Sequence, residues 1–152
     1  MNTLIFRVMQ SLAAGLLLTA SSIACAADEA GTVKTTKGTV TVERAGGRLP
    51  AAPGFRIMSS DRVITGPESS VGITLRDNTM LSAGANAVLT LDKYAFNSTT
   101  HEGTLQASVQ RGSLSVISGK LPKASPDSVR FQTSSVTLGV RGTAFVIEAQ
   151  EQ

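Results

Sequence analysis

The chain has 152 residues and a formal net charge of +3, with one cysteine, one histidine, one tyrosine and no tryptophan. At 41% hydrophobic and 16% charged residues it is too apolar for a disordered protein, and its length corresponds to one domain. Fourteen Lys and Arg against 11 Asp and Glu is a small excess, scattered singly, which excludes the basic stripe of a nucleic-acid binder; 4% aromatics is too few for a stacking platform.

Residues 1–26 have the layout of a secretory signal. Arg7 is the lone cation of a short start, an apolar stretch is centred on Leu12–Leu18, small residues follow, and no acid precedes Asp28. Gln10, Ser11 and Thr19 interrupt an apolar run that is already shorter than the roughly 20 residues of a spanning helix. Ala24-Cys25-Ala26 is a small-x-small pattern, so cleavage is expected after Ala26, with export to the periplasm and a single domain over 27–152. A lipoprotein anchored at Cys25 is the competing reading. It fits less well, because Ser22 stands where such signals usually carry Leu. Cleavage after Ala26 removes the only cysteine and with it disulfides, thiolate metal sites and thiol catalysis.

Beyond the signal, Asp28–Lys37 is polar, with Val33 as its one strand-type apolar residue, and is expected to be loose at its start. From Gly38 onward apolar residues alternate. Val40 and Val42 share a face, as do Val71, Ile73 and Leu75. Further short strands are expected at 88–91, 105–109, 114–117, 129–131, 136–140 and 143–148. Reversals are expected at Gly46-Gly47, Gly66-Pro67, Asp77-Asn78, Asn97-Ser98, Arg111-Gly112 and Gly119. Asp77-Asn78 is the best hairpin turn, since Asn tolerates positive φ. Residues 118–128, with two prolines and no alternation, read as an exposed loop. No helix is expected. The class is all-β, and the strand spacing leaves a solenoid of stacked short strands, a sandwich or a barrel open.

Three stretches stand in a telling order: Ser60-Asp61-Arg62-Val63-Ile64-Thr65-Gly66-Pro67, then Val71–Thr79 around Asp77-Asn78, then Gly139-Val140-Arg141-Gly142-Thr143-Ala144-Phe145. Together they resemble the FecR-type domain, the periplasmic part of ferric-citrate-type iron-uptake regulators, over roughly Thr32 to Glu148. The resemblance implies a β-solenoid-like domain. Asn78 stands where that family usually has Gly. The cytoplasmic sigma-factor-binding segment and transmembrane helix of full regulators are not expected here, so direct control of a sigma factor is not expected either. Asp61, Thr65, Gly66, Asp77, Asn78, Arg141, Gly142, Thr143 and Phe145 carry the family motif and read as structural: Asp61 capping a turn, Arg141 pairing with a carboxylate, Phe145 filling the core.

Chemistry is sparse. His101, in Ser98–Gly103, has no nucleophile elbow near it and reads as a solvated loop residue. No spacing suits zinc or calcium, and no cofactor is expected. The sequence therefore reads as a non-enzymatic protein-interaction module of the cell envelope. Its partner would be another envelope protein, met by β-augmentation on Val140–Glu148. Two alternatives are an envelope-glycan or small-ligand binder using Arg44, Arg48, Arg56 and Arg62, and a hydrolase with carboxylates assembled from distant strands.

Overall fold

The computed structural model describes residues 28–141 and 143–150. The signal segment with Cys25 and Ala26, and Gly142 of the late motif, lie outside the described residues. In chain order the strands are β1 (Glu29–Lys37), β2 (Val40–Arg44), β3 (Gly47–Pro50), β4 (Arg56–Met58), β5 (Arg62–Thr65), β6 (Ser70–Leu75), β7 (Met80–Ala83), β8 (Val88–Phe96) and β9 (Gly103–Ile117). A helical turn, α1 (Leu121–Ala124), and a 3-10 turn (Pro126–Ser128) precede β10 (Val129–Gln132), β11 (Thr137–Gly139) and β12 (Ala144–Ala149).

The alternation read in the sequence sets which side of each strand is covered. In β6, Val71, Ile73 and Leu75 are buried and the residues between them are half-exposed. The β6–β7 hairpin closes over four residues: Leu75 N–H donates to Thr79 O at 2.8 Å, and Asn78 has φ +68, the left-handed position such a loop requires.

Strand β9 organises the rest. Two short strands flanking an Arg111-Gly112 reversal were expected; the chain instead forms one strand of 15 residues. Gly112 has φ +84, and a Cβ there would lie 2.6 Å from the Cα of Ala87, so the strand bends without breaking. Its first part pairs with β8 and its last part with β7. One strand thus links both sides of a sheet ordered β3-β2-β5-β8-β9-β7-β6-β1-β4. The result is an all-β, curled antiparallel half barrel, the barrel-like member of the architectures open from sequence. On the other side of β9, β10 pairs in parallel with its first part and β12 antiparallel with its last.

The two sides of the curl share one core. Val33, Ile73, Leu81 and Val116 belong to the same buried cluster as Val42, Val63, Leu89 and Val109, with Leu105 and Phe131. Each such side chain contributes about 1.5–3 kcal/mol by leaving water. A chain with one cysteine forms no internal disulfide, so this packing carries the stability. Residues 51–55 lead from β3 to β4: Ala51 N–H donates to Val40 O, and Val33 N–H donates to Phe55 O.

Two expectations are corrected. Residues 118–128 are not simply an exposed loop: they hold α1, whose Leu121 and Pro122 are buried. Proline is tolerated at the first turn of a helix, where its missing N–H would have had no partner. The polar Asp28–Lys37 stretch is not loose from its start either; β1 runs from Glu29 between β4 and β6, with Ala30, Gly31 and Val33 buried.

Candidate functional site

Asp61, Thr65 and Asp77 of the motif are buried and secure different junctions. Asp61 is wholly buried; its carboxylate accepts Arg44 Nε at 2.8 Å and Arg44 Nη2 at 2.6 Å, and it caps the Met58–Asp61 turn by accepting Met58 N–H at 2.8 Å. This bonding holds the Arg44 guanidinium proton more firmly than usual, with burial opposing. Thr65 Oγ1 donates to Gly84 O at 2.6 Å and accepts Ala87 N–H at 2.8 Å, fastening the 84–87 turn. Gly66 O accepts Asn86 N–H at 3.0 Å in the same junction.

Asp77 is also fully buried, and four donors surround its carboxylate: Thr79 Oγ1 at 2.5 Å, Tyr94 Oη at 3.2 Å, and the backbone N–H groups of Thr79 and Leu121, each at 3.3 Å. Tyr94 Oη in turn accepts Asp77 N–H at 3.0 Å. Burial, and after it the Asp77 charge, push the Tyr94 phenol above its ordinary 10. The carboxylate therefore joins the β6–β7 hairpin to β8 and α1, which the sequence did not reveal because its partners lie 17 and 44 residues away.

The late motif leads to the surface. Arg141 Nη2 meets Asp127 Oδ1 at 3.1 Å, a pair so exposed that it contributes little. Thr143 O accepts Ser118 N–H at 2.8 Å at the mouth of β12, and Phe145 packs edge-on against Phe131 with centroids 5.3 Å apart. Antiparallel ladders alternate between hydrogen-bonded and open pairs. With 143/118 a bonded pair, the backbone groups of Phe145, Ile147 and Ala149 face β9, and those of Ala144, Val146 and Glu148 face away from it. No strand pairs with that outer side among the described residues.

This edge lacks the protection found at β3 and β4. Edge β3 carries Arg48 and Pro50, and edge β4 is three residues long with Arg56. Strand β12 has six residues, no Pro or Lys, and Glu148 as its one charge. Val146, 65% exposed, is diagonal to Ile117, which lies opposite Met80. Together with Leu138 and Val136 these are all the exposed large hydrophobics of the described residues except Leu49. A cleft of about 270 Å³ runs along Leu138, Gly139, Ala144, Phe145 and Val146. A Cβ on Gly139 would meet nothing within 4 Å, so the β11 backbone there is open to approach.

The four arginines singled out in the sequence are not one cluster. Arg44 serves Asp61 and stacks over Phe55 at 5.5 Å, and Arg56 pairs with Glu29 at 3.5 Å. Arg48 and Arg62 both approach Glu43. A separate cleft of about 540 Å³ includes Asp28, Arg76, Phe96 and Glu102. His101 is half-buried and stacks on Phe96, with centroids 6.2 Å apart. Among the described residues no three His, Cys, Asp or Glu side chains gather as metal ligands, and no helix is long and apolar enough to cross a membrane.

A family model described as FecR protein matches residues 61–152, more than half of the chain, from Asp61 through the late motif. Neither the curated proteins nor the solved structures yielded a match.

Proposed function

The chain belongs to the FecR protein family, and we propose that it is an exported, non-enzymatic interaction module of the bacterial envelope. In this reading it takes up an extended segment of another envelope protein along the outer edge of β12. The observation that carries the proposal is the unprotected β12 edge beside the Leu138–Val146 cleft. Family membership supports a regulatory, periplasmic setting, and residues 1–26, with cleavage after Ala26, support export. Asp61, Thr65 and Asp77 spend their polar atoms inside the fold, which suits a scaffold whose working surface is elsewhere.

The added strand hydrogen-bonds to the N–H and C=O groups of Ala144, Val146 and Glu148 and sets alternate side chains into the cleft. Each such bond contributes about 0.5–1.5 kcal/mol net, so backbone pairing alone gives weak binding. Apolar burial in the cleft, at roughly 25 cal/mol per Å², supplies the remainder and favours partners with bulky apolar residues at every second position.

Photo-crosslinking in the native envelope tests the reading. A photoreactive residue at position 148 is expected to give an adduct of one discrete mass, while the same probe at Arg48 on the opposite edge gives none. Equal adducts from both positions, or none from position 148, would overturn it.

A further inference from the structure

On the outer face of the β2, β5 and β8 side lies a cleft of about 460 Å³, lined by Arg48, Arg62, Arg111 and Gln110 above Ile64 and Val88. Sheet register builds it. Glu43 stands opposite Arg48 on one side and Arg62 on the other, forming an outward row across β3, β2 and β5. The next outward row runs through Ile64, Val88 and Arg111.

Among the described residues, charge along the Arg48–Glu43–Arg62 row is unevenly matched. Glu43 accepts Arg48 Nε at 2.8 Å and lies 3.6 Å from Arg62 Nη1, so two guanidiniums share one carboxylate. Arg62 Nη2 donates to Gln110 Oε1 at 2.8 Å, which leaves the Gln110 amide N–H groups as donors on the same rim. Arg62 Nε is buried with no acceptor. A swing of this guanidinium toward a ligand therefore sacrifices no bond at Nε. Arg111 is anchored by its Nε to Asn86 O at 2.8 Å, with its guanidinium at the cleft wall.

We infer that this cleft binds an oxyanion carried on a sugar ring, with the phosphate or carboxylate held by Arg48, Arg62 and Gln110 and the C–H face of the ring on Ile64 and Val88. Guanidiniums match such oxyanions with paired, charge-assisted hydrogen bonds. The floor supplies the apolar contact that a bare anion would not use. The site is independent of the β12 edge and uses only two of the four arginines considered from sequence.

Titration of the purified protein by calorimetry at fixed ionic strength, with glucose 1-phosphate, glucuronate, inorganic phosphate and glucose as probes, tests it. Expected is saturable binding of one or both acidic sugars, weaker binding of phosphate, and none of glucose. Arg62→Gln and Arg48→Gln should each weaken acidic-sugar binding about tenfold, the loss of one charge-assisted hydrogen bond. Arg56→Gln, on the far edge strand, should leave it unchanged. Thermal melting of each variant separates lost binding from lost fold. Absence of saturable binding, equal binding of glucose, or equal weakening by Arg56→Gln would overturn the inference.

Discussion

Asp61 and Arg44 are joined by two hydrogen bonds at 2.8 and 2.6 Å, while the same guanidinium donates to Arg56 O at 2.9 Å and the same carboxylate accepts Met58 N–H at 2.8 Å. The pair thus ties β2, second from one end of the sheet order, to β4 at the other end. Removing the cation strands a carboxylate whose side chain is 1% exposed. Arg44→Ala is expected to cost about 3 kcal/mol in urea unfolding. Arg56→Ala, which deletes only an exposed side chain and keeps the carbonyl, should cost less than about 0.5 kcal/mol.

The Tyr94 phenol provides a pH signature. Its folded value is raised above 10, so the folded state keeps the proton where the unfolded chain releases it. That contribution is fully present below pH 10 and is lost as pH rises through the folded value, at a slope of up to about 1.4 kcal/mol per pH unit. Tyr94→Phe should lower stability at neutral pH by about 1–3 kcal/mol, because it removes both hydrogen bonds to Asp77. It should also flatten the alkaline slope. Unfolding free energies measured at pH 8, 10 and 11 for both proteins check this.

Leu121 in α1 is fully buried and its N–H donates to Asp77 Oδ2. Leu121→Ala is expected to cost about 2–5 kcal/mol. Lys123→Ala, on the exposed side of the same turn, should be neutral, and thermal melting of both variants checks the contrast. Equal effects would mean that 118–128 behaves as the exposed loop its composition suggests.

Neighbouring residues of β12 should behave oppositely. Ile147 is 4% exposed and Val146 65%. Ile147→Ala should lower stability by about 2–5 kcal/mol, whereas Val146→Lys should stay within about 0.5 kcal/mol and reduce self-association at high concentration. Chemical denaturation and light scattering read the two effects.

Legibility in the sequence followed polarity contrast. Val71-Gly72-Ile73-Thr74-Leu75 alternates sharply and ends in Asp77-Asn78, so β6 and its turn could be read directly. Strand β1 hid because Thr32, Lys34, Thr35 and Thr36 mask its few buried positions, which are small or β-branched. The bend of β9 read as a break because Arg111-Gly112 is turn chemistry whether a strand ends or only curves. In β12 the run Ala144-Phe145-Val146-Ile147 is apolar on both faces; Phe145 and Ile147 could be read as core, but no local polarity contrast marked Val146 as exposed. The partners of Asp61 and Asp77 depend on register, which no local pattern encodes.

Val146→Pro isolates the central claim. The Val146 N–H points away from β9, so proline there removes one outward donor and leaves the β9–β12 ladder intact. The measurement is the yield of the partner adduct from the position-148 probe, with and without Val146→Pro, in variants of matched melting temperature. Loss of the adduct with the melting temperature unchanged is the expected result; an undiminished adduct would contradict docking on the β12 edge.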